Sequence, residues 1–169
     1  MLKLFCVFFI SLALGNALDK KAEISYGRFL KGREIPGVTI ESSEEKSEIT
    51  WNESVNVQEN SLRATIRVDF TKSKKSDYIV IPNLCDTYNK STFHQSGKLF
   101  VLKMIANVKN CPIKEGTKST YINEPKTFLY SLENDRKCGP FQAEMKVFRK
   151  MDKLVPIILG YFQGNITGC

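Results

Sequence analysis

Leu62-Arg63-Ala64-Thr65-Ile66-Arg67-Val68-Asp69-Phe70 alternates without a break. Leu62, Ala64, Ile66, Val68 and Phe70 fall on one side of an extended chain, and Arg63, Thr65, Arg67 and Asp69 on the other. A period of two with one dry and one wet face is the pattern of a half-buried β-strand. An apolar sheet face must be covered by a second sheet or a helix, so this stretch commits the chain to a layered, mainly β architecture.

Working outward, Ile49–Val57 (Ile49, Trp51, Val55, Val57) is a weaker strand, and Gln58-Glu59-Asn60-Ser61 has the chemistry of a turn. The expectation is a hairpin from Ile49–Val57 into Leu62–Phe70. Lys72–Ser76 is a polar loop into a β-rich run at Asp77–Pro82, and Glu23–Leu30 is a candidate first strand. Between Phe93 and Val108 the apolar spacings become three and four, which predicts a helix over Gly97–Val108. Phe141, Ala143, Met145 and Val147 alternate again. Arg149–Lys153 reads as a turn, and Leu154–Ile166 as an apolar return strand. Pro156 there argues for an edge or a bulge.

The N-terminus carries Lys3, an apolar run over Leu4–Leu14, and small residues at Gly15-Asn16-Ala17. These are the regions of a secretory signal peptide cleaved after Ala17. The apolar run falls short of the roughly 20 residues needed to cross a bilayer. The expected organisation is a signal peptide at 1–17 and a single domain at 18–169, secreted and extracellular. About 150 residues suffice for one domain with a real core. Removal of the leader takes Cys6 away and leaves Cys85, Cys111, Cys138 and Cys169. An even count in a secreted chain reads as two disulfides. The hairpin of Phe141–Val147 with Leu154–Ile166 brings Cys138 and Cys169 to its open end, which leaves Cys85 with Cys111. Sequons at Asn52, Asn89 and Asn165 fit the same compartment.

The formal charge is +7 at pH 7, one more than after loss of Lys3. Lys72, Lys74 and Lys75 are the one dense basic cluster, read as a solvated turn or a contact with an anionic membrane surface. Nucleic acid is not an expected partner, since no reader motif is present. The chain has one histidine, His94, with no companion motif, and the cysteines are committed to disulfides, so acid–base and thiolate catalysis lack their usual groups. Glu41, Glu44, Glu45 and Glu48 read as a solvated loop. No cofactor motif stands out, and cysteines this far apart do not form a zinc site. The chain is therefore expected not to be an enzyme.

Leu84-Cys85-Asp86, followed by Asn110-Cys111-Pro112-Ile113-Lys114-Glu115-Gly116-Thr117, resembles the ganglioside activator family, lipid-recognition domains of the ML type. That family carries a Cys-Asp and then a Cys-Pro-Phe-Lys-Glu-Gly-Thr run. Secreted arthropod families, including some from chemosensory tissue, carry a similar Cys-Pro-x-Lys-x-Gly signature, and some true-bug venom proteins look related. The resemblance spans Asp77 to the C-terminus and is most specific at Cys111–Thr117. It departs at Ile113, where the family has an aromatic, and in the absence of counterparts for the activators' extra disulfides. It also implies a Cys85–Cys111 bond, and a β-cup whose two sheets splay around an apolar cavity.

The resulting expectation is a mainly β chain: a two-sheet antiparallel β-sandwich or β-cup with one helix and two disulfides. It would bind or transport a lipid or other small apolar ligand between the sheets. The expected ligand-binding residues are Ile66, Val68, Phe70, Phe100, Met104, Met145, Val147, Leu159 and Tyr161. The alternative is an extracellular interaction or effector protein that meets a receptor and carries no lipid.

Overall fold

β4 (Leu62–Phe70) is the strand its alternation predicts. Leu62, Ala64, Ile66 and Phe70 are buried, Val68 is half-buried, and Arg67 is exposed. In the computed structural model, residues 18–58, 60–90, 92–122, 124–132, 137–149, 152 and 154–169 are described. The signal-peptide expectation at 1–17, Ser91 of the second sequon, and Lys150, Met151 and Lys153 of the expected turn lie outside them.

β4 pairs on one side with β5 (Lys75–Ile81) through the expected polar turn, and on the other with β8 (Gly139–Arg149). β8 runs into β9 (Ile158–Thr167), which pairs with β1 (Leu18–Lys31), and β1 pairs with β7 (Lys126–Leu132). The six-stranded antiparallel sheet therefore has the order β5-β4-β8-β9-β1-β7. β9 is an interior strand, not an edge. Pro156 sits just before it, outside the ladder, where its carbonyl accepts from Arg33 N at 2.8 Å.

The β8–β9 register runs from Val147 opposite Ile158 to Gly139 opposite Ile166. Cys138 and Cys169 flank the open end and are bonded, with Cα atoms 6.1 Å apart. Cys85 and Cys111 form the second bridge, Cα to Cα 5.3 Å.

The second sheet, of order β2-β3-β6, is formed by β2 (Val38–Ser42), β3 (Lys46–Trp51) and β6 (Lys118–Ile122). It overturns two expectations. The Ile49–Val57 strand stops at Trp51 and pairs with β2 and β6, not with β4. Val55 makes only an isolated bridge to Ile113. Of the turn-like residues, Gln58, Asn60 and Ser61 lie instead on the crossover between sheets; Glu59 lies outside the described residues. The glutamates read as a solvated loop sit on the β2–β3 hairpin. Glu41 faces Glu48 on its wet side and Ile40 faces Ile49 on its dry side. The charges mask a period of two that Val38, Ile40, Ile49 and Trp51 carry into the core.

The helix α1 spans Phe93–Ala106, beginning earlier than expected and ending just short of Val108. Thr92 supplies the N-cap, accepting from Gln95 N at 3.2 Å, an interaction that satisfies an orphan amide of the first turn. Asn107 closes the helix in the left-handed conformation, which asparagine tolerates better than most residues. Gly97 is thus inside the helix, not at its start. A Cβ there would lie 3.0 Å from Ile81 Cδ1 and 3.4 Å from Ile66 Cδ1, so its missing side chain lets α1 approach the six-stranded sheet closely.

The two halves of α1 are held differently. The first half lies over β4 and β5. The second half is tied to the small sheet: Trp51 Nε1 donates to Ile105 O at 2.9 Å, and Ser119 Oγ donates to Met104 O at 2.8 Å. The sheets meet where Ser47 Oγ of β3 accepts from Phe29 N of β1 at 3.2 Å.

Candidate functional site: an apolar cavity beneath the helix

Where the first half of α1 crosses the large sheet, side chains do not fill the space between them. The cavity is about 90 Å³. β4 supplies Ile66, Val68 and Phe70, β5 supplies Ile79, and α1 supplies Phe93, Gly97 and Phe100. The far wall is Ala22, Phe128, Phe141, Ala143 and Ile166. Asp77 and Ser96 are the polar side chains of the lining. The inward face of β4 shows the opening directly: it is closed at Leu62, Ala64 and Ile66, open at Val68, and closed again at Phe70.

The physical character of this space follows from its walls. A buried water requires two to four polar partners, which an aliphatic and aromatic lining does not offer. The space opens to solvent, so its walls are exposed apolar surface, and covering such surface gains about 25 cal/mol per Å². The cavity is smaller than the roughly 300–1,000 Å³ typical of drug-sized sites. It accommodates a slim hydrocarbon segment, not a bulky ligand. At its rim, Asp77 pairs with Lys137, whose ammonium lies 6.0 Å from the centre of the Phe93 ring.

Of the nine residues expected to hold a ligand, Ile66, Val68, Phe70 and Phe100 meet in this cavity. Met145 and Val147 face the same side of the sheet but are fully buried farther along it, opposite Gly160 and Ile158. Met104 lies toward the other end of α1. Leu159 and Tyr161 belong to the opposite face, and Tyr161 is 40% exposed. The phase of β9 explains this. Its inward positions are Ile158, Gly160, Phe162, Gly164 and Ile166, and the two glycines erase the apolar alternation that would have revealed it.

Those glycines have partners that sequence reading did not use. Gly160 faces Phe29, Gly164 faces Phe141, and Gly27 of β1 faces Phe162. The Tyr121 and Phe162 rings occupy the space at Gly27 and the Phe162 ring that at Gly160, while at Gly164 the Glu23 carbonyl comes nearest to where a Cβ would stand, ahead of the Phe141 ring. Phe29, Phe162, Tyr121 and Phe100 form an edge-to-face cluster with centroids 5.4–6.2 Å apart, a favoured arrangement for aromatic pairs. Phe128 belongs to β7, a strand that the periodicity did not mark.

The cavity also lies elsewhere than expected. Its lining comes from the six-stranded sheet and α1, and none of the lining residues belongs to β2, β3 or β6. A space between two splayed sheets is not what is seen. The gap lies between the helix and the six-stranded sheet.

The remaining marked residues are on the surface. His94 is exposed and stacks on Tyr88, centroids 5.5 Å apart. Asn52, Asn89 and Asn165 are exposed, as are Lys72, Lys74 and Lys75. Asn52 Nδ2 donates to Thr39 Oγ1 at 2.8 Å. The Lys46 ammonium beside Glu48 holds that carboxyl below the usual range. Among the described residues, no helix is long and apolar enough to cross a membrane.

A solved structure of a Niemann-Pick type C2 protein from Japanese carpenter ant is similar to this chain. The two share 11% sequence identity, covering 83% of this chain and 93% of that one, with a TM-score of 0.35. A likeness at that level supports no inference about fold or function. No family model matches the chain, and no curated protein matches it. The resemblance to ganglioside activators therefore rests on the motifs at Cys85-Asp86 and Cys111–Thr117.

Proposed function

We propose that the protein is an exported binding protein that holds a slim apolar ligand, such as an acyl chain, between α1 and the six-stranded sheet. The observation that supports this is the cavity at Val68 and Phe100, a solvent-open apolar space with almost no polar lining. A hydrocarbon segment laid against these walls gains about 0.8 kcal/mol for each buried CH₂. Such a ligand needs no catalytic group. The two disulfides support an oxidising compartment, in line with the leader-like N-terminus and the exposed sequons.

Native mass spectrometry of the secreted protein, followed by organic extraction, tests the reading. A co-purifying lipid is expected, or stoichiometric uptake of a fluorescent fatty acid after delipidation. Failure of the delipidated, folded protein to bind fatty acids of any length would sink it. A receptor captured by that same ligand-free protein would favour an extracellular interaction role instead.

A further inference from the structure

A second concavity, of about 320 Å³, opens between the second half of α1, β6 and β7. Lys103 and Asn107 of α1, Lys118 and Thr120 of β6, and Lys126 of β7 contribute to its walls. Three lysines from three separate elements thus border one space. Their charge is only partly matched, by Glu48 beside Lys118 and by Glu124, whose charge acts on Lys126. Lys118 lies 3.5 Å from Glu48, but Glu48 is shared with Lys46 at 2.8 Å. Lys103 donates to the Asn107 side chain. Lys126 donates to Thr120 O at 3.1 Å and lies 4.2 Å from the Tyr121 ring centre. Among the described residues neither Lys103 nor Lys126 has a carboxylate in ion-pair contact.

Burial, and then the charge of Lys103, hold the Lys126 ammonium below the usual lysine range. The two cations are therefore close enough to repel. The C-terminal end of α1 offers them about half a negative charge, less than the lysines carry. A concave surface bearing excess charge of one sign concentrates counter-ions. An oxyanion placed among three ammonium groups also gains charge-assisted hydrogen bonds.

We infer that this pocket binds a single anionic group of the carboxylate or phosphate type, with Lys103, Lys118 and Lys126 supplying charge and the Asn107 amide supplying a hydrogen bond, while the Thr120 hydroxyl stays on Glu48 at 3.3 Å. The site does not depend on the apolar cavity. Phe100 and Phe128, which line that cavity, each lie a few residues along the chain from Lys103 and Lys126. The anion could therefore arrive free, or as the head group of an amphiphile whose tail occupies the cavity.

Calorimetric titration of the full secreted chain at low salt separates these sources, using inorganic phosphate, monomeric dodecyl phosphate and dodecanol as probes. The double variant Lys103→Gln/Lys126→Gln is compared with wild type and with a turn control, Lys72→Gln/Lys74→Gln. Loss of about tenfold or more in affinity for either phosphate probe is expected in the first variant only, with dodecanol unaffected. Binding of inorganic phosphate by itself identifies a free-anion site. Dodecyl phosphate binding tighter than both other probes identifies a head-group site. Failure of dodecanol alone removes the apolar carrier reading and leaves this one standing. On unsubstituted protein, the bound phosphate probe should move the amide resonances of Ser119, Thr120 and Thr127. Wild type that binds neither phosphate probe, a lysine variant that binds both as wild type does, or shifts confined to other residues would overturn the inference.

Discussion

Phe100 of α1 and Phe128 of β7 meet edge to face, ring centres 5.5 Å apart, where the helix passes over the edge of the large sheet. Both line the apolar cavity. One turn further along α1 stand Lys103 and Met104, and just before Phe128 stand Lys126 and Thr127, all on the basic pocket. One aromatic contact therefore lies between an oily compartment and a cationic one.

Val68→Phe should close the oily compartment. Val68 is the inward residue of β4 left half-buried by the cavity, so a ring there has space to enter. Affinity for a fluorescent fatty acid should fall about tenfold or more. The thermal midpoint should stay within about 4 °C of wild type, as for a change below about 1 kcal/mol. Fluorescence titration and circular dichroism measure the two quantities. Undiminished binding would place the ligand elsewhere.

Gly27→Ala tests the pairing of glycines with rings. A Cβ at Gly27 would lie 2.6 Å from Tyr121 Cζ and 2.9 Å from Phe162 Cδ1. Both rings are packed on all sides, so neither yields cheaply. Overpacking of this kind costs about 1–3 kcal/mol, to be read as a lower urea midpoint at constant slope.

Tyr121→Phe should stabilise the protein. The Tyr121 hydroxyl is buried and has no hydrogen-bond partner among the described residues, and removing such an unsatisfied group recovers about 1 kcal/mol. Burial also pushes its phenol from 10.0 up to about 12. In the unfolded chain the phenol loses its proton first as pH rises. The stability this difference supplies is present below pH 10 and is lost as pH climbs toward 12. The variant should lack that part of the alkaline decline in urea-unfolding free energy. An unchanged slope across this window would contradict the assignment.

Replacing Cys138 and Cys169 together by serine should cost about 3–4 kcal/mol by the chain-entropy estimate, since the bridge closes a separation of 31 residues. Peptide mapping of the wild type should recover Cys138–Cys169 and Cys85–Cys111 linkages. A Cys85–Cys138 peptide would refute the fold.

Legibility followed the residues that carry contrast. β4 and β8 alternate apolar with charged side chains, and one glance along either gives strand and face. The β8–β9 hairpin follows from a turn between two apolar runs, and with it the disulfide at the open end. β2 and β3 were harder because Glu41, Glu44, Glu45 and Glu48 dominate the composition of a segment whose dry face is only a few residues long. β9 gave its strand character but not its phase, because Gly160 and Gly164 occupy inward positions. Four of the nine expected ligand residues reached the cavity, namely those on β4 and the one on the overlying turn of α1.

Local pattern alone settled the β class, the helix, the cysteine pairing and the dry face of β4, because each depends on chain-neighbour periodicity or on the reach of one hairpin. The placement of β3 in a separate sheet, the order of six strands, and the gap under Gly97 and Phe100 were decided only in three dimensions. A cavity is the space left when side chains from β1, β4, β5, β7, β8, β9 and α1 fail to meet, and no single segment encodes a distance between elements that far apart in the chain.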